Sequence, residues 1–98
     1  MTGITARLRA RKRRDRLNAY VRACRQVDAR DGDACRVCSV FIKSGAHHHH
    51  ILPRSLGGPN TPSNLIRVCA FCHAEIHAKR LIVTGDGDGR LHIETRAA

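Results

Sequence analysis

The chain has 98 residues, with no Trp, one Tyr and two Phe. A chain of this length is one domain at most and buries only ~60% of the surface it exposes when unfolded, so an enzyme with a large apolar core and its own cofactor domain is excluded. Eighteen Lys and Arg against eight Asp and Glu give a formal charge of +10, which points to a polyanionic partner, nucleic acid before an anionic membrane surface.

The charge is one-sided. Residues 1–30 hold ten bases and only two acids, Asp15 and Asp28, whereas residues 31–98 hold eight bases and six acids. The spacing of Leu17, Tyr20, Val21, Cys24 and Val27 predicts a helix over 4–29 with one apolar stripe. Thr5 is placed to cap its start, and Asp31-Gly32-Asp33 to end it in a turn. Arg7, Arg9, Arg11, Lys12, Arg13, Arg14 and Arg16 crowd its first half, where only Leu8 is apolar. That half is expected to be an exposed basic extension touching DNA phosphates. The organisation expected is a basic helical arm over 1–30 and a compact unit over 31–98. Cys24, on the stripe, reads as a small buried thiol.

Short elements follow. Cys35-x-x-Cys38 leads into Val40-Phe41-Ile42, a short strand or turn. His47 to Pro53 reads as a strand ended by proline, and Arg54 to Pro62 as a loop marked by Gly57-Gly58-Pro59-Asn60. Thr61-Pro62-Ser63-Asn64 is one helical turn with Thr61 as N-cap and proline at the first position. Leu65 to Val68 is strand-like, and a helix is expected from Cys72 to Arg80. The tail is a β-hairpin over 81–95 around Gly85-Asp86-Gly87-Asp88-Gly89. That run lacks the spacing and terminal Glu of a calcium loop.

The two Cys-x-x-Cys pairs, Cys35/Cys38 and Cys69/Cys72, are thirty residues apart. Each such turn aims two thiolates at one point, and two turns complete a tetrahedron around a Zn²⁺ ion. Four thiolates leave no open position, so this zinc is structural, and its binding energy becomes folding energy for a chain that needs it. No apolar run approaches the ~18 residues of a membrane span, and no apolar stretch follows the basic N-terminus as in a secretory signal. A cytoplasmic, reducing setting is expected, in which cysteines serve metals rather than disulfides. Cys69-x-x-Cys72-His73 also fits haem attachment, but that reading needs export and leaves the first pair idle.

Seven histidines remain, four of them consecutive at 47–50. The run continues into Ile51-Leu52-Pro53, unlike an affinity tag. His73 and His77 are four apart and share a helix face. The positive helix end beside His73 disfavours imidazolium and leaves the ring in its metal-binding form. Strand and helix histidines are therefore placed to converge on a second, open metal.

His49-His50-Ile51-x-Pro53-Arg54-Ser55-x-Gly57-Gly58, then Asn64-Leu65, then Cys69-x-x-Cys72-His73-x-x-x-His77, in this order, resemble the HNH endonucleases, most closely the small zinc-stapled kind of phages, prophages and bacterial restriction systems. The likeness covers about residues 28–80. It implies a small α+β fold: a ββα-metal core with a four-cysteine structural zinc, the basic helix before it and the hairpin after it. It also implies site roles. His49 takes the first metal-ligand position, with His48 as the alternative register. His50 takes the general-base position. Asn64 braces the loop and orients His50 through a side-chain to backbone hydrogen bond. His73 is the second ligand, and His77 a third ligand or a phosphate contact. Arg54 adds positive charge at the phosphate. The implied activity is metal-dependent hydrolysis of DNA phosphodiester bonds with low sequence specificity, the catalytic ion being Mg²⁺, Mn²⁺, Ni²⁺ or Zn²⁺. A non-catalytic, zinc-stabilised nucleic-acid-binding module is the alternative. By analogy alone, a phage terminase or packaging complex is a candidate partner and a bacterial or phage-infected cytoplasm the setting. Monomer and homodimer both remain open.

Overall fold

An unbroken helix, α1, runs over Thr2–Asp31 in the computed structural model, which describes residues 2–96. Its Arg-, Ala- and Leu-rich sequence has no Pro and a single Gly near the start, so intrinsic propensity carries it through a first half that touches no core. Only the C-terminal half packs. Ala23 and Val27 are fully covered, with Tyr20 beside them, against Leu65. The expected stripe is corrected here. Leu17 is 59% and Val21 40% exposed. Val21 is six residues from Val27, about a third of a turn off the buried line, and Leu17 lies beyond the edge of the core. Cys24 flanks this line and is half-buried rather than enclosed, yet burial still lifts its thiol pKa.

The last residue of α1 ties the helix to the rest of the molecule. The Asp31 side chain is 1% exposed. It accepts from Arg30 Nε at 2.7 Å, Arg36 Nη1 at 2.7 Å and the Arg67 backbone N–H at 3.0 Å. Arg30 donates further to the Pro62 and Leu65 carbonyls, both at 2.7 Å, and to Asp88 at 2.8 Å. Burial works to raise the Asp31 pKa, but the bonds from Arg30, the Arg67 N–H and Arg36 outweigh it and hold the carboxyl below its ordinary range. Asp31→Ala is therefore expected to cost ~3–5 kcal/mol, the range for breaking one side of a buried ion pair, as read by urea denaturation.

Strands β1 (His47–His50) and β2 (Leu65–Val68) pair antiparallel, from His47 opposite Val68 to His50 opposite Leu65. Side chains alternate across the ladder. His47 and His49 share a face with Ile66 and Val68, and this face meets helix α2 (Ala70–His77). His48 and His50 share the other face with Leu65 and Arg67, toward α1. The two-stranded sheet thus lies between two helices. β1 stops at His50, short of the expected Pro53, because the chain after Ile51 turns to be held by Asn64. α2 begins at Ala70 rather than Cys72, because the Cys69 sulfur accepts the Cys72 N–H as an N-cap. It ends at His77, just before Lys79 adopts a left-handed φ of 65°. Thr61 precedes the short turn Pro62–Asn64 without capping it; its hydroxyl bonds Ser63 instead.

The main core joins Cys35, Ile42, Ile66, Val68, Cys72 and Val83. Val83 comes from the tail hairpin, β3 (Leu81–Gly85) with β4 (Leu91–Thr95). The glycine-aspartate run at its tip has a docking role. The Gly87 N–H donates to the Ser63 carbonyl at 2.7 Å, and a Cβ there would lie 2.6 Å from the Pro62 carbonyl oxygen. Asp88 receives Arg30. Among the described residues the result is a small α+β fold of two α-helices and two two-stranded sheets. Among the described residues no helix is long and apolar enough to cross a membrane.

Candidate active site and metal centres

Two turns deliver the four cysteines. In the first, the Cys35 N–H donates to the Val40 carbonyl and the Ser39 N–H to the Cys35 carbonyl, both at 2.9 Å, and Ala34 bridges to Phe41. The second is the start of α2. The Sγ atoms of Cys35, Cys38, Cys69 and Cys72 all lie within 4.8 Å of one another, and Cys38 and Cys69 stand 3.8 Å apart. The backbone N–H groups of Val37 and Cys69 point at Cys35 Sγ, and that of Cys72 at Cys69 Sγ, each at 3.4 Å. Such donors favour thiolate. At Cys35 burial pushes the other way, but the Cys38, Cys69 and Val37 N–H groups prevail and bring the pKa to about 7. Burial, then the neighbouring sulfurs, drive Cys72 upward. Four thiols this close cannot all ionise unless a cation compensates them, so the donor set fits a four-thiolate zinc.

Histidines form a second cluster on the β1–α2 face. Nitrogens of His49, His73 and His77 lie within 4.8 Å of one another, and the Nε2 atoms of His73 and His77 are 3.0 Å apart. One turn of α2 sets the His73–His77 spacing, and the period of β1 aims His49 at them. Burial, reinforced by His73, His77 and His50, holds the His49 pKa down to about 4. His73 is lowered by burial and by His47 and His77. Neutral imidazoles carry the lone pairs that a metal takes, so this donor set also fits a divalent ion. His48 lies on the opposite face, its Nε2 2.6 Å from Asp28. His47 stacks on His73 at 4.5 Å between ring centroids.

One pH expectation follows. The His49 ring should titrate in a two-dimensional NMR experiment with a midpoint near 4, not 6.5. Between those values the unfolded chain binds a proton that the folded chain refuses, so stability falls as pH drops from about 6.5 to about 4.

His50 stands apart from the cluster. Its ring stacks on Tyr20, 5.9 Å between centroids and 9° from parallel, and its Nε2 lies 2.9 Å from Asn60 Oδ1. Asn64 ties the loop together through its side chain. Its Oδ1 accepts the Leu52 N–H at 2.8 Å, and its Nδ2 donates to the Leu52 and Pro59 carbonyls at 3.1 and 3.0 Å. A side-chain contact to the His50 ring itself comes from Asn60. Gly58 closes the same loop, since a Cβ there would overlap the Leu52 carbonyl. Neither Tyr20 nor Asn60 is marked as a site residue by the sequence. Asn60 carries a weak signal, its place four residues before Asn64; Tyr20 carries none, being an ordinary stripe position.

A cavity of ≈240 Å³ opens between these groups, lined by His48, His49, His50, Pro53, Arg54, His73 and His77. Arg54 is therefore in the cleft wall. Arg7, Arg9, Arg11, Lys12, Arg13, Arg14 and Arg16 are exposed on the first half of α1. Arg13 and Arg16 of the arm share a cavity with Arg54 of the cleft wall, close to His49 and His73, whose lowered pKa values favour the neutral ring.

A family model described as HNH endonuclease matches residues 35–79, from the first cysteine pair to just past α2. Anaredoxin of Nostoc sp. (strain PCC 7120 / SAG 25.82 / UTEX 2576) is 33% identical over 60 residues, which is 61% of this chain and 78% of that protein. No solved structure matches.

Proposed function

The chain belongs to the HNH endonuclease family, and we propose that it is a metal-dependent endonuclease that hydrolyses DNA phosphodiester bonds with low sequence specificity. In this reading β1, β2 and α2 are the ββα-metal unit and the four-cysteine cluster holds a structural zinc. The carrying observation is the convergence of His49, His73 and His77, from a strand and a helix, beside His50 in one cleft.

A divalent ion held by His49, His73 and His77 would supply Lewis-acid stabilisation of charge on the scissile phosphate and the leaving 3′-oxygen. An all-imidazole set suits Ni²⁺ and Zn²⁺ better than Mg²⁺, with Mn²⁺ between. The chain's own part is proton transfer and positioning. Asn60 Oδ1 can only accept, so it holds the proton on His50 Nε2 and leaves Nδ1 as the base for the attacking water. Tyr20 keeps the ring from turning away. Asn64 fixes the loop that carries Asn60. Arg54 meets the phosphate charge from the wall. One base and one ion cut one strand at a time, so nicked circles precede linear DNA.

The test is supercoiled plasmid incubated with zinc-loaded protein and added Mg²⁺, Mn²⁺ or Ni²⁺. Ion-dependent conversion to nicked and then linear forms is expected. No conversion while the protein still binds the plasmid would replace the nuclease with a zinc-stabilised nucleic-acid-binding module.

A further inference from the structure

On the α1 side of His50 lies a second cavity, of ≈310 Å³, lined by Arg13, Arg16, Leu17 and Tyr20 from α1 and by Arg54 and Asn60 from the loop. We propose that this cavity is a second phosphate subsite, which holds the phosphodiester next to the scissile one on the same DNA strand. The neighbour's designation as scissile rests on the nuclease reading; the subsite itself does not.

Three observations carry it. First, no carboxylate lines the cavity, and among the described residues none of its three guanidiniums has an acidic partner. Arg30, Arg36, Arg67 and Arg80 do have one. The arginines that hold the fold together are thus paired, whereas these three, like the others along the arm, have no acidic partner, and these three meet at one cavity. Second, the α1 residues at the cavity recur at i, i+3, i+4 and i+7, so they form one helix face. Lys and Arg on the other faces of the arm do not reach it. Third, the cavity shares walls with the catalytic cleft. Arg54 lines both, and Tyr20 and Asn60 of the second cavity also contact the His50 ring. A strand whose phosphate sits at His50 would pass Arg54, which lines both cavities, on its way into the second one. There Arg13 and Arg16 are placed to bind phosphate oxygens, and the exposed Leu17 side chain is placed against the sugar.

The arm is then more than a diffuse cationic attractor. Its C-terminal part sets the path of the strand over the base.

Two measurements test this. Binding of a fluorescein-labelled DNA duplex is followed by anisotropy with the zinc-loaded protein and no added divalent ion. The double variant Arg13→Ala/Arg16→Ala is compared with Arg11→Ala/Arg14→Ala, which removes the same charge from another face of the helix. The subsite predicts ~10-fold or greater weakening for the first pair and a salt slope lower by roughly 2, against about twofold weakening for the second. Equal losses would overturn it in favour of unspecific charge. Inorganic phosphate matched in total phosphate should displace the duplex far less well than unlabelled DNA; equal displacement would mean a simple anion hole and would also overturn it. In the second measurement, wild-type cleavage is mapped on duplexes carrying a single neutral methylphosphonate. Cutting should be blocked at the modified linkage and suppressed at one adjacent linkage. The Arg13→Ala/Arg16→Ala variant should keep the block and lose the adjacent suppression. Absence of cutting would defeat the nuclease reading, and the anisotropy comparison would still decide the subsite.

Discussion

Replacement of Cys35 by alanine is expected to abolish cooperative folding of everything after α1. Cys35 and Cys72 are both core residues and candidate ligands; each is buried, and together with Ile42, Ile66, Val68 and Val83 they make up the main buried cluster. That cluster contains no aromatic ring, since Phe41 and Phe71 are exposed. Structural zinc contributes ~10–16 kcal/mol in small zinc domains, about the size of the whole stability of an ordinary domain. Loss of one thiolate therefore removes more than the apolar core can replace. Near-ultraviolet dichroism should show no thermal transition for Cys35→Ala, and elemental analysis should find about one tightly held zinc in wild type and almost none in the variant. Cys69→Ala should behave alike. Cys24→Ala is the control: it lies outside the cluster and should keep its zinc and a transition within about 1 kcal/mol of wild type. An unchanged transition in Cys35→Ala would refute the staple.

The elements that could be read from the sequence are those fixed by local spacing. The paired Cys-x-x-Cys turns, the His73–His77 helix pair and the 81–95 hairpin each follow from a short-range period, and each is found in the structure. The four-histidine run leaves two registers open for the metal ligand. Strand alternation separates them in the fold, with His49 toward α2 and His48 toward Asp28 on α1, but only the position of both helices shows which face is which. The long-range polar contacts are not legible in the sequence. Asp31 reads there as a turn residue and is a buried acceptor for three chain segments. Asn60 reads as loop punctuation and touches the candidate base. A polar side chain of this kind has no periodicity, because its partners are set by how distant segments meet. The α1 stripe fails for a related reason. Periodicity marks which face is apolar but not where the core beneath it ends, and Leu17 lies past that end.

Replacement of His50 by alanine is expected to lower plasmid cleavage by ~10²–10⁴-fold, the usual worth of a positioned general base, while leaving the melting temperature and both metal contents unchanged. The contacts of His50 account for this separation. Its ring belongs to neither buried cluster, stacks on Tyr20 and has its one recorded side-chain hydrogen bond, among the described residues, with the half-buried Asn60, so its removal leaves no fully buried polar group without a partner. Asn64→Ala should also lose activity, but by another route. It strips partners from the Leu52 N–H and from the Leu52 and Pro59 carbonyls, at ~1–3 kcal/mol for each group left buried and unpaired. Its cleavage defect should therefore come with a lower melting temperature. Asn60→Asp keeps a carbonyl-type acceptor for His50 Nε2 and should retain more activity than Asn60→Ala, with unfolding unchanged in both. If His50→Ala cuts as well as wild type, His50 is not the base. If it cuts poorly but also unfolds early, the ring is structural and the proton acceptor must be sought among the other groups of the cleft.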